Sequence, residues 1–169
     1  MAVEDGYERG YVCLNGHWVN RFGDSSPEGN FQADPACGSG VISACPECAH
    51  KILGHRRARP SDAFAVLDLS SAPRVPAFCH HCGEPYPWTA AYQEAYRELM
   101  ALSPLTDAER ADAQKDLDAL VSETPKTPVA IARTKRVLTR LGAGIKEEAE
   151  KLLVKIVTEA AARALGLPH

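Results

Sequence analysis

The 169-residue sequence has neither a long hydrophobic run nor a strong net charge. No apolar stretch reaches the roughly 18 residues that a membrane-spanning helix needs, so we expect no membrane span. The formal net charge of −3 excludes a global attraction to nucleic acid and leaves room only for a local basic patch. The first residues carry acids where a secretory signal has bases, and no apolar segment follows. We therefore expect a cytoplasmic protein.

Common catalytic motifs are absent as well. The sequence contains no HExxH of metalloproteases, no His-x-Glu signature of zinc deaminases, no GxSxG nucleophile motif and no phosphate-binding glycine loop. These absences favour a binding protein over an enzyme.

The chain has two halves of different composition. All six cysteines and both tryptophans precede residue 89, and the sequence that follows is rich in alanine and leucine with charges at helical spacing. In a reducing cytosol, closely spaced cysteines are typical of metal sites. We predict an α+β protein with tandem zinc ribbons, made of short β-hairpins, over residues 1–87 and an inserted loop at about 50–77. A bundle of about four helices is predicted over 88–169.

Two Cys-x-x-Cys pairs are the strongest sign of a site: Cys45 with Cys48, and Cys79 with Cys82. This spacing lets both sulfurs of a tight turn face one ion, and four thiolates complete a tetrahedral zinc site with no open position. A thioredoxin-like redox pair would instead need a preceding strand and a long helix starting at the motif. We predict one structural zinc, with an inserted loop that packs through Phe64, Val66, Leu67 and Leu69.

A second group of candidate ligands lies earlier in the chain. Cys13 and His17 flank Asn15-Gly16, a dipeptide typical of two-residue hairpin turns. A thiolate and an imidazole on one turn are suitable zinc ligands, and Cys37 is the obvious third. We therefore expect a second zinc per chain.

The fourth ligand of this second zinc is open. Asp34 stands three residues before Cys37, where a Cys-x-x-Cys pair would have its first cysteine, and a carboxylate oxygen binds zinc. His50, His55 and a water molecule are its competitors. We prefer sequential pairing of the ligands to a crossed scheme, with a short strand in GVISA (40–44) leading into the next ribbon.

The second half has the start and stop signals of helices. Thr89 is the expected N-cap of the first helix, and Thr106 with Glu109 matches a capping box for the second. Thr127, followed by proline, is the expected N-cap of the third helix, and Gly142 its stop.

A fourth helix is predicted to run on to about Gly166. Its apolar face is long enough for us to expect self-association, whereas its mixed polar face does not favour a membrane surface. The residues of this face are Ile145, Ala149, Leu152, Leu153, Ile156, Val157, Ala160 and Ala164.

The segment 126–146 is basic. No acid occurs between residues 124 and 146, and Arg133, Arg136 and Arg140 share one helical face. A second basic cluster lies at 55–59. These residues are candidate phosphate contacts for a nucleic acid, while the ordinary alternative, favoured by the negative net charge, is pairing with acids of the bundle.

Four segments resemble a family of small uncharacterised bacterial proteins: YVCLNGH (11–17), CPEC (45–48), FCHHCGEPYPWT (78–89) and TPKTPVAIARTKRVL (124–138). The resemblance covers nearly the whole chain and implies two zinc ribbons followed by a helical tail, without an established activity. The family's second knuckle is similar to FCxxCG, which puts Asp34 in the place of its first cysteine. The first site is then weaker, uses an aspartate ligand, or is empty.

These observations favour a zinc-binding, non-enzymatic interaction or assembly module that binds a protein partner or itself through its C-terminal helices. Zinc would supply on the order of 10 kcal/mol of folding free energy to a segment too small for a large core. The alternatives are nucleic-acid binding through 126–146 and a zinc-dependent hydrolase with an open position at the first site.

Overall fold

The computed structural model describes residues 6–57, 74–122 and 124–167. The chain divides into two compact units, an N-terminal unit of residues 1–88 and a C-terminal unit of residues 89–169. The structure has the predicted α+β class, with small antiparallel sheets and helices. The predicted packing segment of the inserted loop, at Phe64, Val66, Leu67 and Leu69, lies outside the described residues.

The described residues of the N-terminal unit form two small antiparallel sheets. One pairs β1 with β5, and the other has the order β3-β2-β4. A 3₁₀-helix at Pro27–Gly29 lies between β3 and β4. The strands are β1 (Tyr7–Arg9), β2 (Tyr11–Cys13), β3 (Trp18–Asn20), β4 (Val41–Ile42) and β5 (Leu53–Arg56).

A hairpin turn is present where Asn15-Gly16 predicted one, but its loop has the three residues 14–16 and not two. It joins β2 to β3, with Gly16 in the left-handed region at φ +75°. The N–H of Gly16 donates to the carbonyl of Cys13 (2.8 Å), and the N–H of Cys13 donates to the carbonyl of His17 (3.0 Å). The strand predicted in GVISA is also present as β4, which pairs with β2.

The apolar core of the N-terminal unit is small. Among its described residues, the buried apolar side chains other than cysteine are Val12, Ile52, Tyr86 and Trp88. Small segments with so little buried apolar surface usually need a metal or disulfides for stability. The cysteines of this chain are free thiols, so disulfides do not supply that stability.

In the described part of the chain five helices follow, where the sequence predicted about four. The second and third pack closely on each other, and all five helices contribute buried apolar residues. None of the helices among the described residues has the length and apolar character of a bilayer-spanning segment. The helices are α1 (Pro87–Ala101), α2 (Asp107–Ser122), α3 (Thr127–Arg140), α4 (Ala143–Ile156) and α5 (Glu159–Leu165).

The capping box predicted for α2 is confirmed. The N–H of Thr106 donates to the Glu109 carboxylate (2.9 Å), and the N–H of Glu109 donates to the Thr106 hydroxyl (3.3 Å). This reciprocal pair satisfies two backbone donors at the start of the helix.

The N-caps predicted for α1 and α3 are wrong. Thr89 lies inside α1, because that helix begins at Pro87. Proline suits the first helical position, since it has no backbone N–H that would need a hydrogen-bond partner there. Lys126 is the residue that precedes α3. The Thr127 hydroxyl instead donates to the carbonyl of Ala119 (2.7 Å), which ties α3 to α2.

The predicted fourth helix is two helices. Val157 and Thr158 are extended, and the Thr158 hydroxyl accepts the N–H of Ala161 (3.3 Å) as the N-cap of α5. The break shifts the helical register, so that Ala160 and Ala164 are exposed rather than buried. The inward positions of α5 are Ala161, Ala162 and Leu165.

The predicted role of Gly142 also needs correction, whereas the predicted end at Gly166 is confirmed. The third helix ends at Arg140, and Gly142 is the extended residue that precedes α4. Gly166 has φ +75° and donates its N–H to the carbonyl of Arg163 (3.1 Å), a left-handed helix end.

Candidate metal centres

The four cysteines of the two Cys-x-x-Cys pairs lie together. Their sulfurs are all within 4.8 Å of one another, at 3.7 Å for Cys45 to Cys82 and 3.6 Å for Cys48 to Cys79. A tetrahedral zinc with Zn–S bonds of about 2.3 Å has sulfur-to-sulfur distances of about 3.8 Å. This group, the four-cysteine site, therefore has the size of a tetrathiolate metal site.

Both turns of the four-cysteine site have the same backbone hydrogen bonds. The N–H of the first cysteine donates to the carbonyl five residues on, and the N–H four residues on donates back to the carbonyl of that cysteine. The bonds are Cys45 to His50 (2.8 Å), Ala49 to Cys45 (2.9 Å), Cys79 to Glu84 (2.8 Å) and Gly83 to Cys79 (3.0 Å). We call this turn a knuckle. It places both sulfurs on one side of the backbone.

The thiols of the four-cysteine site ionise unequally. Burial opposes ionisation of Cys79, but N–H groups of Cys82 and His81 and the neighbouring thiols donate to its sulfur and lower its pKa to about 6. The N–H of His50 favours the Cys48 thiolate, yet desolvation and the other three sulfurs outweigh it and raise the pKa of Cys48 to about 12. A divalent cation between the sulfurs would stabilise the thiolate form of each cysteine, so that all four could ionise.

The second group contains all four residues of the sequential scheme. The sulfurs of Cys13 and Cys37 are 3.8 Å apart, and His17 Nδ1 lies 3.3 Å from Asp34 Oδ2. All four ligand atoms are within 4.8 Å of one another. Nitrogen and oxygen ligands at about 2.0 Å from a tetrahedral zinc would be about 3.3 Å apart. We call this group the mixed site.

Asp34 occupies the first position of a third knuckle. Its N–H donates to the carbonyl of Ser39 (2.8 Å), and the N–H of Gly38 donates to the carbonyl of Asp34 (2.7 Å). The backbone is therefore the same as in the two cysteine knuckles. Oδ1 of Asp34 accepts the N–H of Ala36 (2.9 Å), and Oδ2 faces Cys37 at 3.1 Å.

The surroundings keep Asp34 ionised. The N–H of Ala36, followed by the thiols of Cys37 and Cys13, donates to the carboxylate and holds its pKa well below the usual range. The side chain is buried, with 5% of the residue exposed. An ionised carboxylate directed at two thiols and an imidazole has the charge and position of a metal ligand.

The two histidines that competed with Asp34 lie elsewhere. His50 approaches the carbonyl of Cys48 (3.1 Å), and its ring stacks on His81 beside the four-cysteine site. The His55 ring packs against Phe22, with centroids 4.7 Å apart. The geometry thus favours Asp34 as the fourth ligand of the mixed site.

An aromatic pair that sequence reasoning missed lies between the two sites. Trp88 and Tyr86 stack with ring centroids 4.7 Å apart, and burial together with the neighbouring Cys79 raises the pKa of Tyr86. On the other side, a β-carbon at Gly16 would lie 3.1 Å from Cβ of Trp88, so this residue contacts the turn of the mixed site. The segment PYPW following the last knuckle was the available signal, but it does not identify the contacts.

The predicted basic face is partly neutralised within the C-terminal unit. Arg133 lies 3.5 Å from the carboxylate of Asp116, and Arg140 forms an ion pair with Glu109. Arg136 is exposed. Two of the three candidate phosphate contacts therefore pair with acids of α2, as the ordinary alternative expects.

The cluster at 55–59 is also engaged where it is described. The Arg57 guanidinium contacts Glu8 (3.1 Å) and Asp24 (2.7 Å). Residues 58 and 59 lie outside the described part of the chain.

Residues 6–165 match a family described as an uncharacterized protein conserved in bacteria, DUF2321, and the chain belongs to that family. No curated protein and no solved structure matches the chain. The predicted resemblance to an uncharacterised bacterial family agrees with this assignment. The family description names neither zinc ribbons nor an activity.

Proposed function

We propose that this member of an uncharacterised bacterial family is a zinc-binding, non-enzymatic interaction or assembly module. The observation that carries the proposal is the convergence of two sets of four ligand atoms in an N-terminal unit with very few buried apolar side chains. In this account two zinc ions per chain replace the missing core.

The donor atoms support zinc as the metal. Four thiolates at tetrahedral distances suit zinc or iron, and the mixed set of two thiolates, one imidazole and one carboxylate suits zinc. Zinc is therefore the ion that fits both sites. Thiols kept reduced for metal binding also support the expected cytoplasmic location.

The geometry supports a structural role over a catalytic one. Each site offers four protein ligands, and catalytic zinc usually has three with a water in the fourth position. A hydrolase would need Asp34 to give up its coordination position to a water molecule, although the N–H of Ala36 fixes the carboxylate through its other oxygen. Neither hydrolysis nor nucleic-acid binding gains a supporting observation from the residues that the structure describes.

The C-terminal unit is the proposed docking part. It buries a core of its own, which includes Leu117, Leu120, Leu138 and Leu153, so its fold does not require the metal sites. We propose that this unit binds a protein partner or a second copy of the chain. Sedimentation at high protein concentration tests self-association, and a clean monomer would contradict it.

Metal removal tests the structural role of zinc. Both tryptophans, Trp18 and Trp88, lie in the N-terminal unit, whereas most helical residues lie in the C-terminal unit. A strong zinc chelator should shift tryptophan emission to the red while most of the helical circular dichroism persists, and added zinc should restore the emission.

The same chelator saturated with zinc is the control and should change nothing. Tryptophan emission that stays unchanged after mass spectrometry shows complete metal loss would contradict a structural role.

A further inference from the structure

We propose that the mixed site is an exchangeable metal site, from which zinc leaves and re-enters while the four-cysteine site stays loaded, and that Trp88 senses its occupancy. The inference rests on the proposed function, since it takes both groups as zinc sites. It goes further because it assigns the two sites different roles.

Asp34 differs from a cysteine as a ligand, but it leaves the backbone of the knuckle unchanged. The knuckle at residues 33–40 has the same pair of backbone hydrogen bonds as those at 44–51 and 78–85. All three knuckles also place a left-handed residue after the second ligand: Gly38, Ala49 and Gly83. A cysteine at position 34 would fit this backbone, so the difference between the sites is one of ligand chemistry.

That chemistry weakens the hold on zinc. Thiolates are soft ligands that bind zinc strongly, whereas a carboxylate is a harder ligand that also suits magnesium and calcium. Asp34 offers a single oxygen, Oδ2, because Oδ1 accepts the N–H of Ala36. The mixed site therefore has two thiolates where the other site has four, and its zinc should exchange faster.

Solvent reaches the mixed site through its imidazole. The His17 side chain is 47% exposed, and Cys37 is exposed beside it. Each site has two buried ligands and one exposed cysteine, so the sites differ in the remaining ligand: His17 is exposed, whereas Cys48 is only partly exposed. An incoming metal-binding group can thus replace His17 at the zinc without opening a knuckle.

Trp88 is placed to detect the exchange. The turn that carries Cys13 and His17 contacts its indole through Gly16. Its indole also stacks on Tyr86, whose side chain interacts with Cys79 of the four-cysteine site. Release of zinc would free the His17 end of the turn and change the indole environment, at the second residue of α1.

The test uses the two-zinc protein carrying W18F, which leaves Trp88 as the single tryptophan. Chelators of increasing strength are added, and native mass spectrometry follows the zinc count. We expect a one-zinc species to accumulate, with Trp88 emission changing at this first loss. Alkylation should then label Cys37, the exposed thiol of the mixed site, while the four cysteines of the other site stay protected.

Two substitutions at position 34 test the cause. Asp34→Cys should slow the first zinc loss at least tenfold, and Asp34→Asn, with a neutral amide, should speed it. Glu47→Gln is the matched control, because Glu47 is an exposed carboxylate within a knuckle and outside both ligand sets. It should leave the rate unchanged.

Loss of both zinc ions together, a wild-type rate in Asp34→Cys, or a constant Trp88 emission at the first loss would each overturn the inference. If Asp34→Cys does not fold, the Asp34→Asn rate decides, and a rate equal to that of wild type has the same meaning. A purified protein that binds no zinc would instead contradict the proposed function, so the two failures can be told apart.

Discussion

At the residue scale, the knuckles depend on single backbone conformations. Gly38 and Gly83 have φ of +71° and +76°, and the corresponding residue of the middle knuckle is Ala49 at +61°. Glycine adopts this region freely, whereas another L-residue loses roughly 1–2 kcal/mol there. The middle knuckle therefore carries a strain that the other two avoid.

Gly83→Ala should lower the free energy of unfolding of the zinc-loaded N-terminal unit by about 1 kcal/mol. No atom lies within 4 Å of the added methyl position, so the cost is conformational. Denaturant unfolding followed by tryptophan emission measures it. Gly144→Ala, in the first turn of α4 with equally open space, is the control. It should leave the tryptophan-monitored unfolding of the N-terminal unit unchanged and, by helical circular dichroism, stabilise the C-terminal unit by up to about 1 kcal/mol. Equal effects of both substitutions would contradict the assignment.

Asp116→Asn should change how the stability of the C-terminal unit depends on pH. Desolvation raises the pKa of Asp116, Arg133 opposes the shift, and Asp112 adds to it. Because the folded pKa lies above the unfolded one, protonation favours the folded state, and stability falls as pH rises through the folded pKa. The variant should lose this dependence and be more stable than wild type at neutral pH.

Thermal unfolding at several pH values, followed by circular dichroism, measures this difference between variant and wild type. Asp118→Asn, at an exposed position of the same helix, is the control and should not reproduce the gain in stability at neutral pH. A difference in stability between Asp116→Asn and wild type that grows as pH falls would contradict a raised pKa of Asp116.

The grouping of the candidate ligands could be predicted from sequence because it depends on local spacing. Two cysteines three residues apart reach one ion from a tight turn, and Asp34 stands where such a cysteine belongs. Contacts between Gly16 and Trp88 could not be predicted, because they join residues far apart in the chain and depend on the packed structure.

At the element scale, helix ends depend on caps that compete with the apolar pattern. Ile156, Val157 and Ala160 continue the spacing of a helix, so the sequence predicts no break. The structure breaks there because Thr158 caps a new helix, and Val157 becomes extended. A side-chain hydroxyl that caps a backbone N–H can thus start a new helix even where the apolar spacing continues without interruption. The capping box of α2 was predictable because both its partners lie within one turn.

Thr158→Ala should lower the free energy of unfolding of the C-terminal unit by about 1 kcal/mol, since it leaves the N–H of Ala161 without its cap. Thr139→Ala is the matched control. Thr139 lies within α3, its hydroxyl donates to the carbonyl of Arg136, and alanine there should be neutral or slightly stabilising. Urea unfolding followed by helical circular dichroism compares the two variants. A free energy of unfolding in Thr158→Ala equal to that of wild type would mean that the cap does not stabilise the start of α5.

At the scale of the whole molecule, the candidate ligands are grouped in chain order. The first four ligands form the mixed site and the next four form the other, with β4 between them. Sequence alone left sequential and crossed pairing open, because each knuckle offers the same local geometry to either partner. The pairing of β4 with β2 places the Asp34 knuckle, at residues 33–40, against the β2–β3 hairpin and favours the sequential order.

The zinc content of the intact chain tests the central claim most directly. Native mass spectrometry should find two zinc ions in the wild type, one in Cys13→Ser and one in Cys79→Ser, because each substitution removes a ligand from a different site. The same zinc content in all three proteins, or a wild type without zinc whose thiols have been oxidised to disulfides, would contradict the account.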